Sequence, residues 1–138
     1  MIVGYTSGVF DLFHVGHVNI LRNARALCDR LIVAVTSDEL VSYKGKKAVV
    51  SYEDRVEVVR ACRYADLVVP QTDIDKFLAW EKMKFDRLFV GDDWFGHDSW
   101  REFDQRLKAV GVQVIYFPYS LGTTSTDLRL KSSWGVVG

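Results

Sequence analysis

Five short, β-prone runs alternate with helical segments along the chain, and this alternation constrains the fold more than any other feature of the sequence. The run RLIVAVTS at 30–37 is apolar and β-branched, which is typical of a strand buried on both faces of a sheet. The predicted strands cover 2–6, 30–37, 66–70, 85–91 and 112–118. The pattern predicts an α/β fold, a Rossmann-like three-layer sandwich with a five-stranded parallel sheet.

Helical segments separate these strands, and several carry signals for their ends. They cover 17–29, 75–83, 99–111 and 125–132, with a further helix that begins at Ser51. Ser51 is a suitable N-cap residue, and Asp54 three positions later forms a variant of the capping box. Gly111 is placed to be the C′ residue that ends the helix at 99–111.

Length, charge and cysteine content restrict the class of protein. The 138 residues predict one domain, which we place at 1–131, with 132–138 as a C-terminal tail. The 18 basic residues balance the 18 acidic ones, so we expect no binding to nucleic acid or to a membrane. Cys28 and Cys62 form no CxxC pair and are predicted to be reduced thiols. No run of ~18 apolar residues is present, so a cytoplasmic location is expected.

Ligands of parallel α/β sheets bind beyond the carboxyl ends of the strands, where the strand order reverses. Four segments are expected at that edge, at 7–16, 36–51, 91–98 and 118–126. Each of them contains residues that suit the binding of phosphate or of a nucleotide.

Two of the three histidines, His14 and His17, lie in the first of these segments, with Gly16 between them. Backbone N–H groups at the start of the following helix attract phosphate, and Gly8 and Gly16 allow a ligand to approach the backbone. Each imidazole can donate a hydrogen bond to phosphate, and a protonated imidazole adds positive charge. The alternatives are a structural pair and a zinc site, although no further histidine or cysteine completes an obvious ligand set.

The other segments also carry polar groups with two interpretations. SYKGKK at 42–47 brings three lysines that either screen the charge of phosphorylated substrates or form a solvated basic loop. Asp92 and Asp93 follow Gly91 and either accept hydrogen bonds from ribose or base, or are ordinary turn residues. The hydroxyl-rich stretch 123–126 either binds phosphate at a helix start or simply caps that helix.

The stretch GVFDLFHVGH at 8–17 resembles the signature of the cytidylyltransferase branch of the HxGH nucleotidyltransferases. KGKKAVVSYEDR, RYADLVVP and GDDW are similar to segments of the bacterial glycerol-3-phosphate cytidylyltransferases, in the same order, and the resemblance covers nearly the whole chain. It implies transfer of CMP from CTP to a small alcohol phosphate, with sn-glycerol 3-phosphate as the first candidate. It also implies a magnesium ion bound with the triphosphate and a homodimer.

The resemblance assigns roles to individual residues. The expected catalytic residues are His14, His17, Lys44 and Lys46, and those expected to bind the acceptor are Asp11, Lys44 and Lys76. Besides the histidines and Lys46, the expected nucleotide-binding residues are Gly8, Val9, Phe10, Gly16, Arg63, Gly91, Asp92, Asp93, Tyr119, Gly122, Thr123, Thr124, Ser125 and Thr126. Arg63 is alternatively part of a surface ion pair with Asp66. Arg55 also matches a family position and is alternatively an ordinary helix-surface residue.

The chain departs from the family pattern at several positions. Tyr119 and Leu121 replace an arginine and a glutamate, and Val9 replaces a threonine, so a bidentate phosphate donor and a hydroxyl are missing. The spacing between Pro70 and Gly91 is one residue shorter than in the family. These differences leave the acceptor open. The alternatives are another small phosphate or phosphonate, adenylyl transfer from ATP, and a non-catalytic nucleotide-binding subunit.

Overall fold

The computed structural model describes residues 1–91 and 98–118, and within these ranges five strands form one parallel sheet. The strands are β1 (Val3–Gly8), β2 (Arg30–Thr36), β3 (Leu67–Gln71), β4 (Arg87–Gly91) and β5 (Gln113–Phe117), in the spatial order β3-β2-β1-β4-β5. The predicted five-stranded parallel sheet is therefore confirmed. The strand order reverses between β1 and β4, so the ligand crevice of such a fold is expected beyond the carboxyl end of β1.

The helices are α1 (Val15–Arg25), α2 (Asp38–Tyr43), α3 (Tyr52–Arg60), α4 (Lys76–Met83) and α5 (Asp98–Ala109). Ser51 caps α3 by accepting the Asp54 N–H, as predicted. Gly111 has a φ of +90° and follows α5, where its N–H and that of Val112 bond to carbonyls of the last turn. This is the Schellman arrangement of a C′ glycine, which confirms that prediction.

Helix α2 corrects the prediction of an open loop at 36–51. It has only six residues, too few to show a helical period in the sequence. The signal that was available is its N-cap, because the Ser37 side chain accepts the Leu40 N–H. The predicted helix at 125–132 lies outside the described residues.

Two apolar layers cover the two faces of the sheet. Alternate residues of β2 point to opposite sides, so that Leu31, Val33 and Val35 pack in one layer while Ile32 and Ala34 pack in the other. The first layer includes residues of α1 and α3, and the second includes residues of α4 and α5. This burial on both faces confirms the three-layer sandwich predicted from the uninterrupted apolar run.

Two smaller predictions also have an outcome. The strand expected to close at Pro70 runs on to Gln71, and proline is tolerated there because β3 is an edge strand. Cys28 and Cys62 are both free thiols, as predicted. Among the helices in the described ranges, none is long and apolar enough to cross a membrane.

Candidate active site

Helix α1 begins with a reciprocal pair of hydrogen bonds made by the two histidines. The His14 Nδ1 accepts the backbone N–H of Gly16 at 3.0 Å, and the His17 Nδ1 accepts the backbone N–H of His14 at 3.1 Å. This is the arrangement of a capping box, with histidines where serine and glutamate usually stand. The sequence motif therefore builds its own helix start, and the start holds both imidazoles in place.

These hydrogen bonds fix which ring nitrogen carries the proton. An Nδ1 that accepts an N–H cannot be protonated, so the proton of each neutral imidazole lies on Nε2. Burial first, and then the neighbouring His14, lowers the pKa of His17 to about 4, although Asp11 opposes the shift. Burial also lowers the pKa of His14. The pair thus offers two neutral Nε2–H donors, with ring centroids 4.1 Å apart, rather than added positive charge.

The segment between β1 and α1 follows an unusual backbone path around Phe10. Phe10 and Leu12 have φ angles of 54° and 50°, in the left-handed region that non-glycine residues rarely adopt. A Cβ on Gly8 would lie 3.2 Å from the Phe10 ring, so glycine leaves room for that ring. The ring is buried and meets the His17 ring edge-on at a centroid distance of 5.5 Å. The Phe10 side chain, predicted to bind nucleotide, is packed against His17 in support of it.

Asp11 is predicted from the sequence to bind the acceptor, and the structure buries its carboxylate and pairs it with backbone N–H groups. The residue is only 1% exposed. Its two oxygens accept the backbone N–H groups of Val49 and Val50 at 2.8 Å and 2.9 Å. Because such charge-assisted hydrogen bonds are strong, Asp11 fastens the stretch that follows the lysines to the stretch that precedes the histidines.

Arg55 is not the surface residue that the sequence allowed, because its side chain is 0% exposed. Its guanidinium donates to the carbonyls of Val9 and Thr36 at 2.7 Å each and to that of Val50 at 3.0 Å. It also donates to the half-exposed carboxylate of Asp38 at 2.6 Å. Arg55 therefore joins the segment after β1, the end of β2, the start of α2 and the segment before α3.

The lysines predicted to meet the substrates lie on segments that end at the same sheet edge. Lys44 and Lys46 follow α2 and are exposed, and Lys76 is the first residue of α4. Partial burial, and then the charge of Lys46, lowers the pKa of Lys44. Burial, and then the charge of Lys44, lowers the pKa of Lys76 to about 8. Lys44 is thus coupled electrostatically to both Lys46 and Lys76, and these three residues are here called the lysine cluster.

A cleft of about 540 Å³ lies beside the lysine cluster, between α2 and the stretch that follows β3. It is lined by Ser37, Glu39, Leu40, Tyr43, Thr72, Asp73 and Ile74. Neither histidine lines it, so it is a neighbour of the histidine pair and not the space above it. None of the three lysines lines it either, although Tyr43, which does, immediately precedes Lys44.

The remaining predicted residues fall into three groups. Gly91 ends β4, at the carboxyl edge of the sheet. Asp92, Asp93, Tyr119, Gly122, Thr123, Thr124, Ser125 and Thr126 lie outside the described residues. Arg63 precedes β3 and so lies at the amino edge, opposite the histidines, where the backbone of Asp66 bonds to Leu31. Within this chain the structure does not bring Arg63 to the histidine pair.

Asp66 belongs to an ion pair, but its partner is Arg25 and not Arg63. The Arg25 Nε lies 2.8 Å from the Asp66 Oδ2, which also accepts the Leu31 N–H at 2.8 Å. Arg63 is exposed and lies over the Tyr64 ring. The carboxylate of the RYAD segment therefore secures the beginning of β2.

Three polar residues at strand ends are not singled out by any sequence motif. Ser7, Thr36 and Gln71 lie at the carboxyl ends of β1, β2 and β3. The Lys76 ammonium donates to the Ser7 Oγ at 2.6 Å, and the Thr36 hydroxyl donates to the Gln71 Oε1 at 2.6 Å. The one available signal is that otherwise apolar, buried strands end in polar side chains at the edge where ligands bind.

The described residues do not by themselves provide a magnesium site. No three of their histidine, cysteine, aspartate and glutamate side chains cluster in a way that would hold a metal ion. Asp11, the carboxylate nearest in sequence to the histidines, is occupied by backbone N–H groups. A magnesium ion carried by the triphosphate stays a prediction, and no step below is assigned to it.

A parallel sheet with this strand order and two imidazoles at the first helix start defines the chain as a nucleotidyltransferase-type α/β protein. A family model described as cytidylyltransferase-like matches residues 5–134. The chain belongs to the cytidylyltransferase-like family, and it is a nucleotidyltransferase.

Individual relatives agree on the family and differ in their named activities. The glycerol-3-phosphate cytidylyltransferase of Bacillus subtilis (strain 168) is 35% identical over 131 residues, which cover 90% of this chain and 92% of that protein. An FAD synthase of Pyrococcus abyssi (strain GE5 / Orsay) is 39% identical over 116 residues, covering 81% of this chain and 77% of that protein. The similarity therefore shows the family and leaves the acceptor to be determined.

A solved structure supports the fold. The lipopolysaccharide core biosynthesis protein from Thermoplasma volcanium GSS1 matches with a TM-score of 0.72, covering 87% of this chain and 97% of that chain. At 23% identity this likeness speaks for the fold alone.

Proposed function

We propose that the protein transfers CMP from CTP to a small alcohol phosphate, with glycerol 3-phosphate as the first candidate, to give a CDP-alcohol and pyrophosphate. The observation that carries the proposal is the pairing of two fixed Nε2–H donors with a lysine cluster at one sheet edge. The 35% identity to a glycerol-3-phosphate cytidylyltransferase over most of both chains supports CTP and this acceptor.

The reaction needs positioning and charge stabilisation more than covalent chemistry. An oxygen of the acceptor phosphate forms a bond to the α-phosphorus of CTP, and the bond from that phosphorus to the bridging oxygen of pyrophosphate breaks. Negative charge on the equatorial oxygens then lies next to the His14 and His17 donors. Donors that are already oriented stabilise such charge without reorganisation at the moment of reaction.

The lysine cluster answers the second requirement, which is to bring two polyanions together. Lys44 and Lys76 are assigned to the acceptor phosphate, and Lys46 to CTP. The charge of Lys46 lowers the pKa of Lys44, and the charge of Lys44 lowers that of Lys76. An arriving phosphate relieves this repulsion, so anion binding and protonation of Lys44 and Lys76 favour each other. Holding both substrates in one geometry lowers the entropic part of the barrier.

Other parts of the proposal rest on sequence resemblance. These are the magnesium ion bound with the triphosphate, the homodimer, the cytoplasmic location, and the nucleotide contacts of 119–126. Adenylyl transfer is the second candidate, and the 39% identity to an FAD synthase is the observation that favours it.

The deciding experiment measures pyrophosphate release from each of the four nucleoside triphosphates with magnesium, using glycerol 3-phosphate and a panel of other small phosphates and phosphonates. We expect CTP with glycerol 3-phosphate to give the highest rate. Product from another acceptor only would show that the departures at Val9 and Tyr119 mark a different substrate. Product from ATP only would establish the adenylyltransferase.

Thermal melting with each nucleotide provides an independent check of nucleotide choice. A ligand that binds the native state raises its stability in proportion to occupancy. We expect CTP to raise the melting temperature more than ATP does. Equal protection by the two nucleotides would favour the second candidate.

A further inference from the structure

The polar strand ends on the α4 side of the sheet form a row that no motif explains. Tyr5, Ile32, Ala34 and Val69 pack in the apolar layer that includes α4 and α5. Because side chains alternate along a strand, the positions two residues further along β1, β2 and β3 face the same side. Ser7, Thr36 and Gln71 occupy these positions, and α4 begins beside them with Lys76.

One short hydrogen bond joins Lys76 to this row of polar residues. Its Nζ lies 2.6 Å from the Ser7 Oγ. Within the described residues it has no carboxylate partner, and its charged neighbour is the like-charged Lys44. An ammonium group has three donors, so the bond to Ser7 leaves two that can point to an anion lying between Lys76 and Lys44.

Within the described residues the partly buried Lys76 ammonium has no counter-ion, and this is costly in the free protein. Burial, and then the charge of Lys44, lowers the pKa of Lys76 to about 8, so part of its charge is lost slightly above neutral pH. The Ser7 hydroxyl accepts a hydrogen bond from the Lys76 ammonium, and such a bond favours the charged form. The Thr36–Gln71 hydrogen bond beside it keeps the rest of the row paired.

From this geometry we propose that Ser7 is a positioning residue, which aims the Lys76 ammonium at the acceptor phosphate and thereby sets the affinity for the acceptor. The inference rests on the proposed function for the identity of the anion. Ser7 itself makes no bond to substrate and acts through Lys76.

The test compares steady-state kinetics of wild type, Ser7→Ala, Ser7→Thr, Lys76→Ala and the double variant, with CTP and glycerol 3-phosphate. We expect Ser7→Ala to raise the acceptor KM about tenfold, the size of losing one hydrogen bond to a charged group. The KM for CTP should stay within about twofold of wild type. Ser7→Thr keeps the hydroxyl and should restore most of the acceptor affinity. Lys82→Ala, on the exposed side of the same helix, is the matched control.

The double variant separates positioning from a general structural effect. If Ser7 acts only through Lys76, adding Ser7→Ala to Lys76→Ala should change the acceptor KM no further, since the interaction is already gone. Fully additive effects, or equal changes in both KM values, would overturn the proposal.

A titration that needs no turnover makes the two proposals distinguishable. The ammonium of Lys76 is followed by NMR after ¹³C reductive methylation, with Lys76→Ala to assign its signal. Ser7→Ala should shift the titration to lower pH, and Ser7→Thr should not. An unchanged titration in Ser7→Ala refutes the positioning role. A shifted titration in a protein that makes no product with any acceptor refutes the proposed function instead.

Discussion

The histidine pair and the lysine cluster lie at the same edge of the sheet but are held in different ways. The two histidines are fixed by hydrogen bonds within four consecutive residues of the chain. Lys44 and Lys46 belong to an exposed stretch, and buried groups from elsewhere hold its flanks. Asp11 binds the backbone at 49–50, and Arg55 binds the carbonyl of Val50 and the carboxylate of Asp38.

The difference assigns separate tasks to the two regions. A transition-state donor must be oriented before the reaction, and the self-contained helix start achieves this without help from distant residues. A cluster of like charges is most useful on segments that can adjust as two polyanions arrive. The stretch that carries Lys44 and Lys46 therefore depends on Asp11 and Arg55 for its position. Substitutions in the histidine pair and in the lysine cluster should accordingly have different effects.

Arg55→Ala should have the largest effect, and it should act on stability. Three carbonyls, one of them in a buried hydrogen bond and two in part-buried ones, and one carboxylate lose their donor. We therefore expect the free energy of unfolding to fall by about 3–5 kcal/mol. Urea denaturation measures this. Arg60→Ala, on an exposed position of the same helix, should change it by less than about 0.5 kcal/mol.

Arg55→Lys keeps the positive charge but loses the planar set of guanidinium donors. Its loss of unfolding free energy should therefore lie between those of Arg55→Ala and Arg60→Ala. The Arg55→Lys variant can also be measured if Arg55→Ala does not fold. A loss of stability in Arg55→Lys no greater than in Arg60→Ala would contradict the role assigned to the buried guanidinium.

His14→Ala and His17→Ala should each lower turnover by about two or more orders of magnitude, as removal of an oriented donor does. Stability should fall by only about 1 kcal/mol, the usual cost of losing a helix cap. His14→Asn is the informative companion, because asparagine caps a helix but does not reproduce the Nε2–H donor. We expect it to fold like wild type and to remain slow. Near-normal turnover in both alanine variants would show that the pair is purely structural.

Lys44→Ala and Lys46→Ala should each affect the binding of a different substrate. We expect the first to raise mainly the KM for the acceptor and the second mainly that for CTP, each by about tenfold. Lys47→Ala, in the same exposed stretch, is the control and should match wild type. If all three variants behave like wild type, SYKGKK is a solvated basic loop, and neither Lys44 nor Lys46 has a role in binding.

The sheet, four of the helices and the histidine pair could be predicted because their signals are local. Alternating apolar runs report the strands, and His14, Gly16 and His17 lie within one helix start. Arg55 could not be assigned in this way. Its acceptors at Val9, Asp38 and Thr36 are 46, 17 and 19 positions away, and only the folded chain brings them together.

At two other positions, a role taken from the family resemblance has to be compared with the place of the residue in the fold. Arg63 matches a family segment, yet a residue just before a strand must lie at the amino edge of a parallel sheet. Asp11 also matches a family segment, yet its carboxylate is buried and both of its oxygens accept backbone N–H groups. In both cases the alternation of strands and helices, together with burial, decides what the side chain can touch.

The stability of the histidine pair in acid offers a test that needs no substrate. The pKa of His17 is about 4 in the folded protein, below its ordinary value of 6.5, because burial disfavours the charged ring. Between those two values the unfolded chain binds more protons than the folded one, so stability is lost as the pH falls from 6.5 towards 4. His17→Gln keeps an acceptor for the His14 N–H but does not titrate. Its loss of unfolding free energy between pH 7 and pH 5 should therefore be smaller than that of wild type, by about 2 kcal/mol. Urea midpoints at the two pH values measure the difference. Equal losses in the two proteins would mean that the pKa of His17 is the same in the folded and the unfolded chain, and that burial does not keep the ring neutral in acid.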